Sequence, residues 1–474
     1  MTFNNEISRL RREVIARVVR AIVQNTPETI DRIPIQMRPK GMKPSRCCIY
    51  KDRAALRYRT MTALGFRIED EVDELRTLAS YAEEAKARQR PTENFITIFP
   101  DACSACMESQ TVVTNLCRGC LARPCEANCP KKAIAIIDGR ARIDRTKCVD
   151  CGICAKACSF HAIVQMSLAC SDACPVNAVS KTDDGRVLID NEKCTHCGRC
   201  IQACPFGAIM QCNQVLDVLY RLQAGRPVVA MVAPSVMAIF PDEPRKLYGA
   251  LKKIGFSAVY EVAHGADETA QREAVELAER RAAGDPFMTT SCCPAFVEAV
   301  HRHMPELLPF VSHTRSPMAY THERVKRDMP NAITVFIGPC AAKRTEAVTR
   351  DAADYVLTAE ELGAIFMGMG VQVDECEPTE PATTGSGKAI GFGVSGGVAA
   401  AVVAYSAKPP TTHTINGLNE KTIRLLKIFA KNRKAPADII EVMACEGGCC
   451  SGPCSFADSL QASARLKKLA EESG

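Results

Sequence analysis

Residues 290–296 read "TSCCPAF" (Thr290–Phe296), directly after the apolar "PFM". Neighbouring residues of an extended chain point in opposite directions. Cys292 and Cys293 are therefore poorly placed to ligate one iron together, and adjacent cysteines form a disulfide only with strain. A cysteine just past an apolar run recurs twice. "GPCAAKRTE" (Gly338–Glu346) follows "AITVFI", and "EVMACEGGCCSGPC" (Glu441–Cys454) overlaps the end of "DIIEVM". Folds of the α/β class place their sites at the carboxyl ends of such strands. "RPVVAMVAP" (Arg226–Pro234) predicts a further strand, and "DETAQREAVELAERRAA" predicts a helix between strands. Residues 213–474 thus read as an α/β domain in which Cys293, Cys340, Cys445 and Cys449 can together hold a cubane.

The chain has 474 residues, enough for several domains, and 47% of them are hydrophobic. A net charge of +6, no Trp and 5% aromatics argue against nucleic acid as a partner. Cysteine is the outlier, with 27; an odd number bunched in C-x-x-C runs suits metal ligation better than a disulfide framework. No secretory leader is expected at the start, so a cytoplasmic, reducing compartment follows. The longest uncharged run, "AIGFGVSGGVAAAVVAY" (Ala389–Tyr405), is Gly-rich and just short of a membrane span, and predicts a buried strand–turn–helix. Residues 1–100 read as a helical region. Ile7, Leu10, Val14, Ile15, Val18 and Ile22 share one helical face. A loop carrying Cys47 and Cys48 runs into a further helix.

Residues 101–212 hold 17 of the cysteines, with short turns at Asp138-Gly139 and Asp184-Gly185. Bacterial ferredoxins use C-x2-C-x2-C-x3-C-P, the fourth cysteine of each run ligating the other cluster. Cys148, Cys151, Cys154 and Cys158 keep that spacing, with Ser159 in place of Pro, and Cys117, Cys120, Cys125 and Cys129 give a variant of it. Exchanging fourth ligands yields one set of Cys117, Cys120, Cys125 and Cys158, and another of Cys148, Cys151, Cys154 and Cys129. Zinc is the competing assignment, although a repeated run ending in Cys-Pro is not typical of it. A second pair of runs is interrupted. Cys194, Cys197 and Cys200 take Cys174, while Cys170 and Cys204 lack two partners, which Cys103 and Cys106 can supply. One ferredoxin unit is then inserted within another, and four 4Fe-4S clusters use every cysteine of the segment except Cys212.

The three strand-end segments resemble the signature motifs of [FeFe]-hydrogenases: T-S-C-C-P, P-C-x-x-K-x-x-E and E-x-M-A-C-x-x-G-C stand here in order. The resemblance spans roughly residues 226–454, with ferredoxin segments before it. It implies a two-lobed α/β catalytic domain preceded by α+β ferredoxin-like iron–sulfur domains and a helical amino-terminal region. It implies an H-cluster, a 4Fe-4S cubane bridged to a two-iron subsite carrying CO, cyanide and azadithiolate. Cys293, Cys340, Cys445 and Cys449 correspond to the cubane ligands, Cys449 also bridging to the two irons, and Lys343 to the partner of a cyanide. Cys292 resembles the family's proton-shuttle thiol, with Glu273, Glu276 and Ser312 continuing the relay. Read without the motifs, the two glutamates suit a solvated, salt-bridged helix face. Ala233, Pro234, Met443 and Phe392 resemble residues lining the two-iron site, and Met443 and Phe392 equally suit ordinary core packing. Gly338, Ala295-Phe296 and Cys450–Cys454 depart from the best-known members and resemble a less studied monomeric branch.

The activity implied is reversible formation and oxidation of H2 in anaerobic metabolism. Protons and H2 are its substrates, a ferredoxin or similar soluble carrier its electron partner, and hydrogenase maturation proteins its assemblers. An iron–sulfur carrier or assembly protein, and an H2 sensor, are the competing functions. Cys47, Cys48, Cys212, Cys376, Cys450 and Cys454 receive no assignment.

Overall fold

The computed structural model describes residues 5–103, 106, 110–182, 185–240 and 243–473. Two parallel sheets carry the carboxy-terminal half. One is ordered Ala258–Glu261, Val228–Val232, Ile333–Gly338, Tyr355–Thr358; the other is ordered Met288–Thr289, Ile439–Met443, Thr412–Asn416. Every residue of Val228–Val232, Ile333–Gly338, Tyr355–Thr358 and Ile439–Met443 is buried. Parallel strands covered on both faces require such unbroken apolar runs. The helix Val262–Ala282 packs against Pro317–Asp328 and Gly397–Tyr405. The segments following four of these strands start at Ala233, Thr290, Pro339 and Ala444, so both lobes aim their carboxyl ends at one place.

The run Ala389–Tyr405 differs from the expected strand–turn–helix. It forms a short helix Gly387–Ile390, a turn at Gly391–Gly393 and a second helix Gly397–Tyr405. Capping decides this. Ser386 accepts from the Ala389 amide, and the buried Glu441 carboxylate accepts from the Gly396 amide at 2.6 Å and the Ala399 amide at 2.8 Å. Both helix starts thus have acceptors for amides that a helix leaves unpaired.

The iron–sulfur region is built as one unit around another. Ile96–Ile98 pairs antiparallel with Ile209–Gln211, and within that bracket Gln110–Val113 pairs with Ile163–Met166. Each pair is accompanied by a hairpin, Val179–Lys181 with Val187–Ile189 in the outer unit and Ile134–Ile137 with Arg140–Ile143 in the inner. Asp138 and Gly139 both adopt positive φ, as a two-residue hairpin turn needs. The Asp184 half of the other expected turn lies outside the described residues. The two units have separate small cores: Ile134, Ala141 and Ile163 in the inner one, Ile98, Val179 and Ile209 in the outer.

The amino-terminal region is helical, with Glu6–Val23, Ile49–Ala63 and Leu78–Ala87. Val14, Ile15, Val18 and Val19 join the same core as Val229 and Met231 of the central sheet. Glu6–Val23 lies on Ala359–Met369, where Gly368 permits close approach: a Cβ there would stand 2.7 Å from the Ala16 carbonyl. Among the described residues no helix is long and apolar enough to cross a membrane.

Candidate active site and cluster ligands

Where the lobes meet, a cavity of about 100 Å³ is lined by Cys292, Cys293, Cys340, Cys445 and Cys449, together with Lys343, Ala233, Pro234, Met443 and Phe392. All ten are residues the sequence singles out, brought together from the ends of two strands of each lobe and, for Phe392, from the turn Gly391–Gly393. Local chain geometry places them. Cys293 occupies the N-cap position of the helix Pro294–His303, whose Pro294 suits the first helical position, and the nearby amides of Ala444, Phe296 and Ala295 favour charge on its thiol against the larger effect of burial. The amides of Lys343 and Ala342, at the start of the helix Lys343–Arg350, act on Cys340 in the same sense. Helix starts of this kind favour negative charge at the sulfur. Gly448, at φ +90°, turns the chain so that Cys449 faces inward; a Cβ there would sit 2.7 Å from the Gly393 carbonyl and the Ser395 amide.

Lys343 is buried, and its Nζ donates to Glu346 Oε2 at 2.6 Å. Burial opposes its charge, but Glu346, with Cys340 and Cys292 nearby, holds the ammonium above its ordinary value. Glu346 stands in the sequence motif without an evident task; its role becomes visible only through this pair. Breaking one side of a buried pair costs about 3–5 kcal/mol. Cys340 is pushed up to about 12, by burial first and then by Cys293. Mutual crowding of thiols in this cavity thus makes four bare sulfurs costly and a shared positive centre favourable.

Cys292 and Cys293 both line the cavity but have different charged neighbours, Glu273 for Cys292 and Lys343 for Cys293. Burial, and then the Glu273 carboxylate, push the Cys292 thiol well above its ordinary value, so it keeps its proton. Glu273 is fully buried rather than on a solvated face. Its Oε1 accepts from the Ser291 amide at 3.2 Å and from Ser291 Oγ at 3.4 Å, and Oε2 has no partner. Burial raises its carboxyl to about 8, opposed by Ser291 and Ser312 and reinforced by Glu276. Ser312 Oγ donates to Glu276 Oε2 at 2.7 Å. Burial disfavours charge on Glu276, yet the His313 amide, Ser312 and Arg280 outweigh it and hold its carboxyl below the ordinary value. Glu276 borders a surface recess of about 400 Å³ shared with Arg272, Glu279 and His313. Cys292, Glu273, Ser312 and Glu276 thus lie in succession between the cavity and the recess. Arg280 meets Glu276 as an i,i+4 pair on the same helix, whereas Ser291 reaches Glu273 across 18 residues, a contact the local sequence does not signal.

The expected 4Fe-4S sets also assemble. Cys125 lies within electrostatic reach of Cys158 and Cys120, and Cys117 packs against the same small core. Cys129, Cys148, Cys151 and Cys154 line one small cavity of about 20 Å³. Cys200 is raised well above its ordinary value by burial, then by Cys197, Cys194 and Cys174. Cys170 is pushed up to about 12 by burial, then by Cys204, Cys103 and Cys106. These proximities are compatible with the groupings expected from the sequence, including Cys103 and Cys106 beside Cys170 and Cys204. Among the described residues no three His, Cys, Asp or Glu side chains close on a single-ion site. The all-thiol composition of these sets fits cubanes. Cys197 also lines the catalytic cavity. Beside it Gly198 is pressed against the catalytic domain, where a Cβ would stand 3.0 Å from Ala341 and Pro453. Cys212, Cys376, Cys450 and Cys454 are buried, and Cys47 is exposed.

Residues 226–453 match the family model described as the iron only hydrogenase large subunit, C-terminal domain. Residues 168–208 match a 4Fe-4S dicluster domain and 140–163 a 4Fe-4S binding domain. The chain is 30% identical over 384 residues to Iron hydrogenase 1 of Clostridium pasteurianum, covering 68% of this chain and 66% of that protein. It is 29% identical over 298 residues to the periplasmic [Fe] hydrogenase large subunit of Nitratidesulfovibrio vulgaris, covering 50% of this chain and 71% of that one. A solved [FeFe]-hydrogenase from Chlamydomonas reinhardtii is 23% identical, with a TM-score of 0.45, covering 54% of this chain and 88% of its own. With these motifs, this fold and these relatives, the chain belongs to the iron-only, or [FeFe], hydrogenase family of oxidoreductases, with 4Fe-4S domains ahead of its catalytic fold.

Proposed function

We propose that the protein interconverts H2 with protons and electrons at an H-cluster, and exchanges the electrons with ferredoxin or a similar soluble carrier through four 4Fe-4S clusters. The observation that carries this reading is the cavity that gathers Cys293, Cys340, Cys445 and Cys449 with Cys292 and Lys343, next to which stand the buried Glu273 and, beyond it, Ser312 and Glu276. Its donor set fits the implied group: four thiols, a buried cation, helix starts facing the sulfurs and apolar walls from Met443 and Phe392. Cys293, Cys340, Cys445 and Cys449 would hold the cubane, with Cys449 shared with the two-iron subsite and its CO, cyanide and azadithiolate ligands. When bound, that group supplies the H2-forming and H2-splitting chemistry.

The chain's own residues supply the rest. Lys343 offers a positive donor, braced by Glu346, to a cyanide. Ala233, Pro234, Met443 and Phe392 shape the subsite and exclude water. Cys292 hands protons to and from Glu273, whose carboxyl near pH 8 can hold or release one at neutral pH. Ser312 Oγ passes the proton between Glu273 and Glu276, and Glu276 exchanges it at the recess. Cys174, Cys194, Cys197 and Cys200 would hold the cluster nearest the cavity, since Cys197 lines it, and Cys103, Cys106, Cys170 and Cys204 would hold the next, Cys170 lying within reach of Cys200; such clusters would supply electron transfer. The inner sets, Cys117, Cys120, Cys125 and Cys158 and Cys148, Cys151, Cys154 and Cys129, are the outermost. The working regions are 1–100, 101–212 and 213–474, with strand Ile96–Ile98 joined by its pairing to the second. Assembly by hydrogenase maturation proteins in the cytoplasm completes the proposal.

Infrared spectroscopy of protein co-expressed with the maturation machinery tests it. CO and cyanide bands, with H2 turnover on reduced methyl viologen, are the expected result. Absence of those bands from otherwise cluster-loaded protein would instead favour a carrier or assembly role, and bands with negligible turnover a sensor.

A further inference from the structure

The two ferredoxin units share a fold but not a surface. The inner unit, residues 110–166, has nine Lys or Arg against four Asp or Glu. The outer unit, residues 95–109 and 167–212, has four against seven. Cubanes add negative charge to both alike, so cluster ligation does not explain the difference. The inner unit also exposes Leu116, Leu121, Ile137, Val149, Ile153 and Phe160, whereas Leu188 is the exposed large apolar residue among the described outer ones. Scattered exposed apolar residues need no explanation, but a grouped set rimmed by one charge does.

The set is grouped. Leu116, Arg118, Leu121 and Arg123 flank Cys117 and Cys120, and Leu121 is 95% exposed. Gly119 lies on the Asp138-Gly139 turn, where a Cβ would stand 2.0 Å from the Gly139 carbonyl. That contact sets Ile137 and Arg140 beside the cysteine loop, and the Ala141 amide and the Arg140 charge both act on Cys117. An apolar centre, a rim in which Arg118, Arg123 and Arg140 outnumber the exposed Asp138 of the same turn, and a ligand loop of the inner unit thus coincide at one corner.

We propose that the corner formed by Leu116, Arg118, Leu121, Arg123, Ile137 and Arg140 is the docking surface for an acidic electron-carrier protein. The step is one electron. The reduced carrier loses it, the cluster behind Cys117 and Cys120 gains it, no atom moves, and H2 oxidation runs the transfer in reverse. Exposed leucines supply the desolvated centre of such a contact and arginines its orientation and association rate. The carrier's role in turnover rests on the proposed hydrogenase function, but its docking does not.

Titration calorimetry of the cluster-loaded full chain with an acidic two-iron ferredoxin decides it. The parent should bind, with affinity falling as salt screens the charges. Arg118→Glu with Arg123→Glu, and separately Leu121→Ser, should weaken binding at least tenfold while iron content and the viologen-linked H2 rate stay unchanged. Binding by the variants equal to the parent's, or a parent affinity indifferent to salt, overturns the proposal. Loss of clusters in the double variant would be resolved by Leu121→Ser, which leaves the ligand loop's charges intact. A parent that binds the carrier but turns over no H2 with viologen would leave the docking surface standing and sink the hydrogenase reading.

Discussion

Cys292 and Cys293 share a peptide bond but not a task, and substitution separates them. Cys292→Ala should keep the cavity's ligand set, and so its CO and cyanide bands, while H2 turnover falls by orders of magnitude. Cys293→Ala should lose the H-cluster bands themselves. Near-normal turnover in Cys292→Ala would remove that thiol from the proton path. Glu273 makes a prediction that does not depend on activity. Its carboxyl, ordinarily near 4.5, is raised to about 8 in the folded chain by burial. Between those values the folded protein holds a proton that the unfolded chain has released, so this group's effect on stability worsens as pH rises through the window. Glu273→Gln has no such proton. Its denaturant midpoint relative to the parent's should therefore climb between about pH 5 and about pH 8, and a flat difference would mean the carboxyl ionises normally. Glu276→Gln gives the opposite contrast, because Arg280 at 2.7 Å and Ser312 favour its charge. Its turnover should drop strongly, whereas a mere surface ion pair, worth about 0–1 kcal/mol, would leave the rate untouched.

At the scale of elements, the bracketed ferredoxin gives a direct count. Cys103→Ser with Cys106→Ser should remove one cubane, four irons, and leave the other clusters in place. Iron analysis with electron paramagnetic resonance would show otherwise if the total held. The turn before Cys449 is a second element whose geometry is demanding. Gly448→Ala would force a Cβ into backbone at positive φ, so H-cluster bands should weaken even though no ligand is changed. Much of this was legible in the sequence. The three strand-end motifs and the C-x-x-C runs are local patterns, and their spacing alone pairs Cys170 and Cys204 with Cys103 and Cys106. What stayed hidden depends on contacts between distant segments. Nothing near Glu441 announces that it caps Gly396 and Ala399, which is why Ala389–Tyr405 reads as containing a strand. Nothing near Glu273 announces Ser291. Strand Ile96–Ile98 has three residues and is visible only through its partner more than a hundred residues on.

For the whole molecule, chain order and electron order run differently. The chain enters the outer ferredoxin, leaves to build the inner one, and returns to finish the outer before reaching the catalytic lobes. In space the outer unit touches those lobes at Gly198 and Cys197, while the inner unit carries the basic, apolar corner. An insertion of this kind is removable when its two ends meet. They do: Gln110 stands opposite Met166 in an antiparallel pair, and the inner core of Ile134, Ala141 and Ile163 is separate from the outer one. Replacing residues 110–166 with a short Gly-Ser linker should therefore leave a folded protein with two ferredoxin cubanes and the catalytic site. Eight irons should disappear, one pair of cubanes. The small dye methyl viologen needs no docking corner, so H2 turnover with it should persist. Turnover with an acidic ferredoxin should collapse, because both the docking corner and the outermost clusters are gone. If the shortened chain instead kept its ferredoxin-linked rate, electrons would have to enter through the outer unit, and the inner unit would need another reason to exist. If it lost the H-cluster bands, the inner unit would be part of the catalytic fold rather than an attachment to it.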